Sequence, residues 1–167
     1  GLAFHADADA NIAFGANALN STSGDANQNA AIGKNALTAL TTGDDNIAIG
    51  YQAGLKFTSN SQNIVIGSNA MDLADSGEAS NVAIGHNAMT GVNNAGSDNN
   101  IAIGLEALHG STSAVTNNVV IGAYALDGTS ASADNCVVIG RGACTEDLTA
   151  DATVAIGRNA AGTLTSG

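Results

Sequence analysis

The sequence predicts an all-β fold, a parallel β-solenoid of about nine coils of 17–19 residues each. Three observations predict it. The first is a repeat. Asn-Ile-Ala-Ile-Gly at residues 46–50 returns along the chain with small changes, and its glycine falls at Gly15, Gly33, Gly50, Gly67, Gly85, Gly104, Gly122, Gly140 and Gly157. Such a short fixed period is the mark of stacked units. The second is a β-branched triplet before each glycine, with no helical period anywhere. The third is composition. Hydrophobic residues make up 44% of the chain but aromatics only 3%, and Trp and Pro are absent, so Ala, Ile, Val and Leu must build the core.

The repeat can be read column by column, with the glycine as position 0. Position −1 holds Ile in eight copies and Phe14 in the first; position −3 holds four Ile, four Val and Ala30. These two columns share a strand face, because strand side chains alternate. Position −2 lies on the opposite face and holds Ala13, Ala31, Ala48, Val65, Ala83, Ala102, Val120, Val138 and Ala155. The glycine ends the strand in a sharp turn. Position +3 is Ala in all nine copies and +4 is mostly Leu or Met, which predicts a second short strand. The rest of each unit is rich in Ser, Thr, Asn, Asp and Gly, and reads as loop. Stacked at about 4.8 Å, nine coils would make a rod about 43 Å long.

Both faces of the triplet are apolar. The bulkier Ile/Val face is expected to fill the coil and the small, flat Ala/Val face to point outward, where it too should be hidden. About 18 residues per coil make a thin core for a lone chain. The Ala/Val column is therefore expected to pack against identical chains, most naturally three around an axis. Position −4 is Asn in seven copies, and these amides can bond along the stack or to the turn backbone.

The formal net charge is −11, from 15 acids and 4 bases. That argues against nucleic acid as a partner, since its phosphates would be repelled. No apolar run is long enough to insert in a membrane as a helix. The opening GLAFHADADA has neither basic flank nor cleavage site, and reads as a cut into a longer protein rather than a signal peptide. Residues 1–8 read as a truncated preceding repeat or linker, 9–161 as the repeat domain, and 162–167 as a tail or the start of a further segment. Cys136 and Cys144 make neither a disulfide framework nor a zinc site; two readings stand, a pair facing each other across one repeat and, favoured over it, a pair of buried free thiols.

The phrases NIAIG, NVAIG and NIVIG, followed by xNAL or xNAM, resemble the head repeats of trimeric autotransporter adhesins, the YadA-like left-handed β-roll. They resemble even more the repeats of phage tail fibres. The resemblance covers residues 9–161. It implies a left-handed parallel β-roll, a homotrimer with chains intertwined or side by side, an extracellular place on a virion or bacterial surface, and binding to a cell surface or matrix.

Motifs for chemistry are few. DADAN at residues 7–11 begins like a calcium loop, but Ile12 and Ala18 stand where its Gly and Glu would be needed. Gly33-Lys34 lacks the upstream glycine of a phosphate loop, and no G-x-S-x-G elbow occurs. His5, His86 and His109 lie in separate repeats with no apparent ligand partner at the usual spacings, and read as structural. Asp9, Asp44, Asp98, Asp134 and Asp151 share position −6. They are the candidates for calcium between coils, set against turn aspartates that bond backbone. Position +1 is the most variable and carries Lys34, Tyr51, His86, Arg141 and Arg158, a stripe suited to pairing with neighbouring chains or to meeting a sugar.

The expected function is that of a structural and adhesive segment of a trimeric fibre, a phage tail fibre before an autotransporter head. Its partners would be further copies of itself and a cell-surface glycan or protein receptor. No cofactor, metal or catalytic residue is assigned. A polysaccharide-cleaving spike would need paired carboxylates in a groove, and only Asp44-Asp45 and Glu146-Asp147 are adjacent acids. Ice binding would need a flat Thr array, and hexapeptide acyltransferases a period in multiples of six; neither pattern is present.

Overall fold

The computed structural model describes residues 4–6, 10–21, 25–75, 77–111, 113–128, 134–145 and 151–161. It is all-β. Ten three-residue strands lie in one sheet in chain order: β1 (Phe4–Ala6), β2 (Ile12–Phe14), β3 (Ala30–Ile32), β4 (Ile47–Ile49), β5 (Ile64–Ile66), β6 (Val82–Ile84), β7 (Ile101–Ile103), β8 (Val119–Ile121), β9 (Val137–Ile139) and β10 (Val154–Ile156). From β2 to β10 every pairing is parallel and every repeat column stacks on itself, as in Ala83↔Ala102 and Ala102↔Val120. This is a parallel β-solenoid of about seven turns. β1 runs antiparallel on β2 and covers its outer edge.

Backbone bonds extend the pairing past both ends of each triplet. The Gly104 N–H donates to the Ile84 carbonyl and the Ile101 N–H to the Asn118 carbonyl, both at 2.8 Å. Three-residue strands therefore act as longer ones.

The two faces are reversed from the sequence expectation. Ala13, Ala31, Ala48, Val65, Ala83, Ala102, Val120, Val138 and Ala155 point into the coil and are buried by their own chain. The Ile and Val residues on either side of them point out, with burial patterns such as exposed-buried-exposed in β4. The physical reason lies across the lumen. Leu37, Met71, Met89, Leu108 and Leu126 at position +4, with Leu40, Phe57 and Val92 at position +7, fill the interior. Only small residues fit opposite such bulk.

The expected second strand is also absent among the described residues. Positions +1 to +4 form a turn in which +2 and +4 take positive φ, as at Asn87 (55°) and Met89 (55°). The consecutive Ala88 and Met89 can both be buried because they lie in this turn rather than on a strand. Coil-to-coil bonds persist through it: Met89 N–H donates to Ala107 O at 3.0 Å, and Glu106 N–H to His86 O at 3.0 Å.

Position 0 needs glycine on two counts. Gly104 has φ +141°, and a Cβ placed on it would lie 2.6 Å from both the carbonyl carbon and oxygen of Gly122. Successive glycines stack too closely for any side chain.

The asparagine column forms a buried ladder. Asn81 Nδ2 donates to Asn63 Oδ1 at 3.2 Å and to Ser97 O at 2.8 Å. Asn81 Oδ1 accepts from Asn100 N at 2.9 Å and from Asn100 Nδ2 at 3.0 Å. The same arrangement links Asn11, Asn29, Asn46, Asn63, Asn81, Asn100 and Asn118. Both expected partners, the next coil and the turn backbone, are thus satisfied at once. The Cys136 N–H takes the last oxygen, Asn118 Oδ1, at 2.9 Å.

Candidate functional site

The outward Ile/Val columns make two parallel apolar files along the sheet. Ile12 (46% exposed), Phe14, Ile32, Ile47, Ile49, Ile64 and Ile101 all stand open to solvent. Their backbones are fixed by the ladder beneath, so the face repeats in step with the coils. Single exposed apolar residues are ordinary; a contiguous file of them is not.

Beside this face runs position +1. Lys34, Tyr51, His86, Arg141 and Arg158 are all exposed there, as the sequence suggested, and Leu105 joins them. Each stands on a stacked turn, one coil or more from the next. No cavity opens among the described residues.

The position −6 carboxylates have a backbone role. Oδ1 of Asp44 accepts from the Asn27 N–H (2.7 Å), that of Asp98 from Ala79 (2.7 Å), that of Asp134 from Thr116 (2.6 Å), and that of Asp151 from Asp134 (2.9 Å). Each ties its coil to the preceding one and does not converge with two further ligands among the described residues. Asp9 and the pair Glu146-Asp147 lie outside the described residues.

One histidine does meet carboxylates across coils. The Nδ1 atom of His109 lies 3.0 Å from Asp127 Oδ1, and Glu106 completes a group whose ligand atoms are all within 4.8 Å of one another. His109 and Asp127 both occupy position +5, in successive coils. Their separation of 18 residues is one period, which is why motif spacings along the chain did not reveal it.

Cys136 and Cys144 are buried and share no disulfide. Burial raises both thiols above their usual pKa, and the remaining effects do not reverse it. Reactive thiolates are favoured by the opposite conditions. No helix among the described residues is long and apolar enough to cross a membrane.

The chain matches no family model, no curated protein and no solved structure. The functional reading therefore rests on the architecture and its surfaces.

Proposed function

We propose that the protein is a structural and adhesive segment of a homotrimeric fibre of the phage tail-fibre kind. It would hold a receptor-binding tip away from a surface or bind cell-surface glycans itself. The observation that carries this reading is the outward file of Ile and Val on a parallel sheet. Fully burying one such side chain stabilises by about 1.5–3 kcal/mol, less here because each is already partly covered. Repeated along the sheet, that is enough to favour association. The bulkier face of the strand points outward and is the surface that association would cover. The interface residues of this proposal are Ile47, Ile49, Ile64 and their equivalents rather than the alanine column.

A solenoid suits a spacer, because its length grows by stacking and its loops can vary without disturbing the sheet. In a trimer, each surface site would occur three times, so weak sugar contacts would add through multivalency. The exposed Tyr51, His86 and Arg141 are the side chains suited to that contact.

Light scattering of the purified chain tests the assembly. The expected mass is three times that of the 16.3 kDa chain; a mass of one chain at all concentrations would reject it. Glycan-array binding tests the adhesive role. It should fall when Tyr51, His86 and Arg141 are replaced by Ala, and binding that is unchanged would remove the stripe from the proposal.

A further inference from the structure

The geometry points to a divalent transition-metal site formed by Glu106, His109 and Asp127, which would clip two successive coils together. Glu106 and His109 come from one turn and its exit, and Asp127 from the same place one coil later. The three ligand atoms lie within 4.8 Å of one another, and His109 Nδ1 is already 3.0 Å from Asp127 Oδ1. Small side-chain rotations would bring all three onto one ion. Metal–ligand bonds of about 2.0–2.2 Å place neighbouring donors roughly 3 Å apart.

The backbone beneath is held still. The Glu106 N–H donates to His86 O at 3.0 Å, Leu108 to Ala125 O at 2.9 Å, Gly110 to Thr90 O at 2.8 Å, and Leu126 to Ala143 O at 2.8 Å. The ligands thus stand on paired coils rather than on a free loop, which reduces the ordering cost of binding. Asn87 Nδ2 approaches Glu106 Oε1 at 3.3 Å and orients that carboxylate from the preceding coil.

The donor set decides the class of ion. One imidazole nitrogen with two carboxylates suits borderline ions such as Zn²⁺, Co²⁺ or Ni²⁺, with water in the remaining positions. Calcium prefers oxygen ligands alone and more of them. Two carboxylates also make the site anionic, matching a dication within a chain of net charge −11. His109 and Asp127 are 33% and 24% exposed, so an ion can reach them from solution.

The test is calorimetric titration of Zn²⁺ into the chelator-stripped protein in the presence of excess Ca²⁺. Co²⁺ serves as a visible-absorption probe of nitrogen ligation. The expected result is one Zn²⁺ per chain that Ca²⁺ does not displace, and a rise in thermal midpoint on binding. Even outer partners of metal ligands are worth about tenfold or more in affinity, so His109→Ala should weaken binding at least that much. Glu106→Gln and Asp127→Asn, which keep side-chain shape, should each weaken it too; they keep the test open if His109→Ala folds poorly by circular dichroism. Zn²⁺ binding no stronger in the parent than in the triple variant, or unchanged in His109→Ala, would overturn the site.

Discussion

At the scale of single residues, the repeat is held by groups that have no alternative. Gly104 is one: its φ of +141° and its approach to Gly122 leave no room for a methyl group. Gly104→Ala should cost about 3 kcal/mol or more, measured by chemical denaturation, whereas the same change at the open Gly96 should cost less. Asn81 is another. Replacing it by Ala leaves buried donors and acceptors on Asn63, Ser97 and Asn100 without their partner. The expected loss is roughly 2–4 kcal/mol. Asp72 acts in the other direction. Burial raises its pKa, outweighing the opposing effects of Thr90, its own backbone, Lys56 and His109. A raised folded-state pKa means that the folded chain holds the proton more tightly, so stability from this group is full in acid and is lost as pH rises through the folded pKa. Asp72→Asn should therefore raise stability at neutral pH, measured by chemical denaturation, by about 1 kcal/mol at most given its solvent screening. The gain should vanish below the ordinary carboxylate range.

At the scale of elements, strand and turn divide the work unevenly. The strands supply hydrogen bonds and an outer face; the turns supply the bulk of the core. Gly54 shows how the coil compensates. It replaces the usual Leu or Met at position +4, and a Cβ there would sit 2.8 Å from Leu37 Cδ2 and 3.3 Å from Phe57 Cδ2. The Phe57 ring thus reaches into space that a longer side chain occupies in other coils. Phe57→Ala should cost about 3–5 kcal/mol, the usual price of emptying a buried aromatic site. On the outer face, Ile49→Lys should leave the far-ultraviolet circular dichroism intact but lower the mass seen by light scattering, if the apolar files join chains.

Strands, their parallel stacking and the glycine column were legible in the sequence because a fixed period places like on like. Which face was inside was not. Alternation says only that −2 opposes −1 and −3; the answer depends on what fills the lumen from across it. The bulky residues at +7, Leu40, Phe57 and Val92, share an offset, but other copies carry Thr22, Ala74 or Ser111 there and the three sit among polar or small neighbours, so the column does not stand out from the loop. The pair His109–Asp127 was hidden for a related reason. Its proximity appears only when columns are read down the stack rather than along the chain.

At the scale of the whole molecule, each coil touches chiefly its two neighbours, so stability should follow a nearest-neighbour rule. A Gly85→Ala substitution in the middle of the stack should split thermal unfolding into two transitions by calorimetry, where the parent shows fewer. The asparagine ladder carries a further consequence. In each of the six Asn–Asn links an Nδ2 hydrogen of the later residue points back to the Oδ1 of the earlier one, so every linked Oδ1 faces the later coil. Aligned amides add their dipoles, much as peptide units do in a helix. The column thereby acquires a compass direction: a faintly positive pole where the chain enters and a faintly negative one where it leaves, so that two such columns meet differently nose to tail than nose to nose.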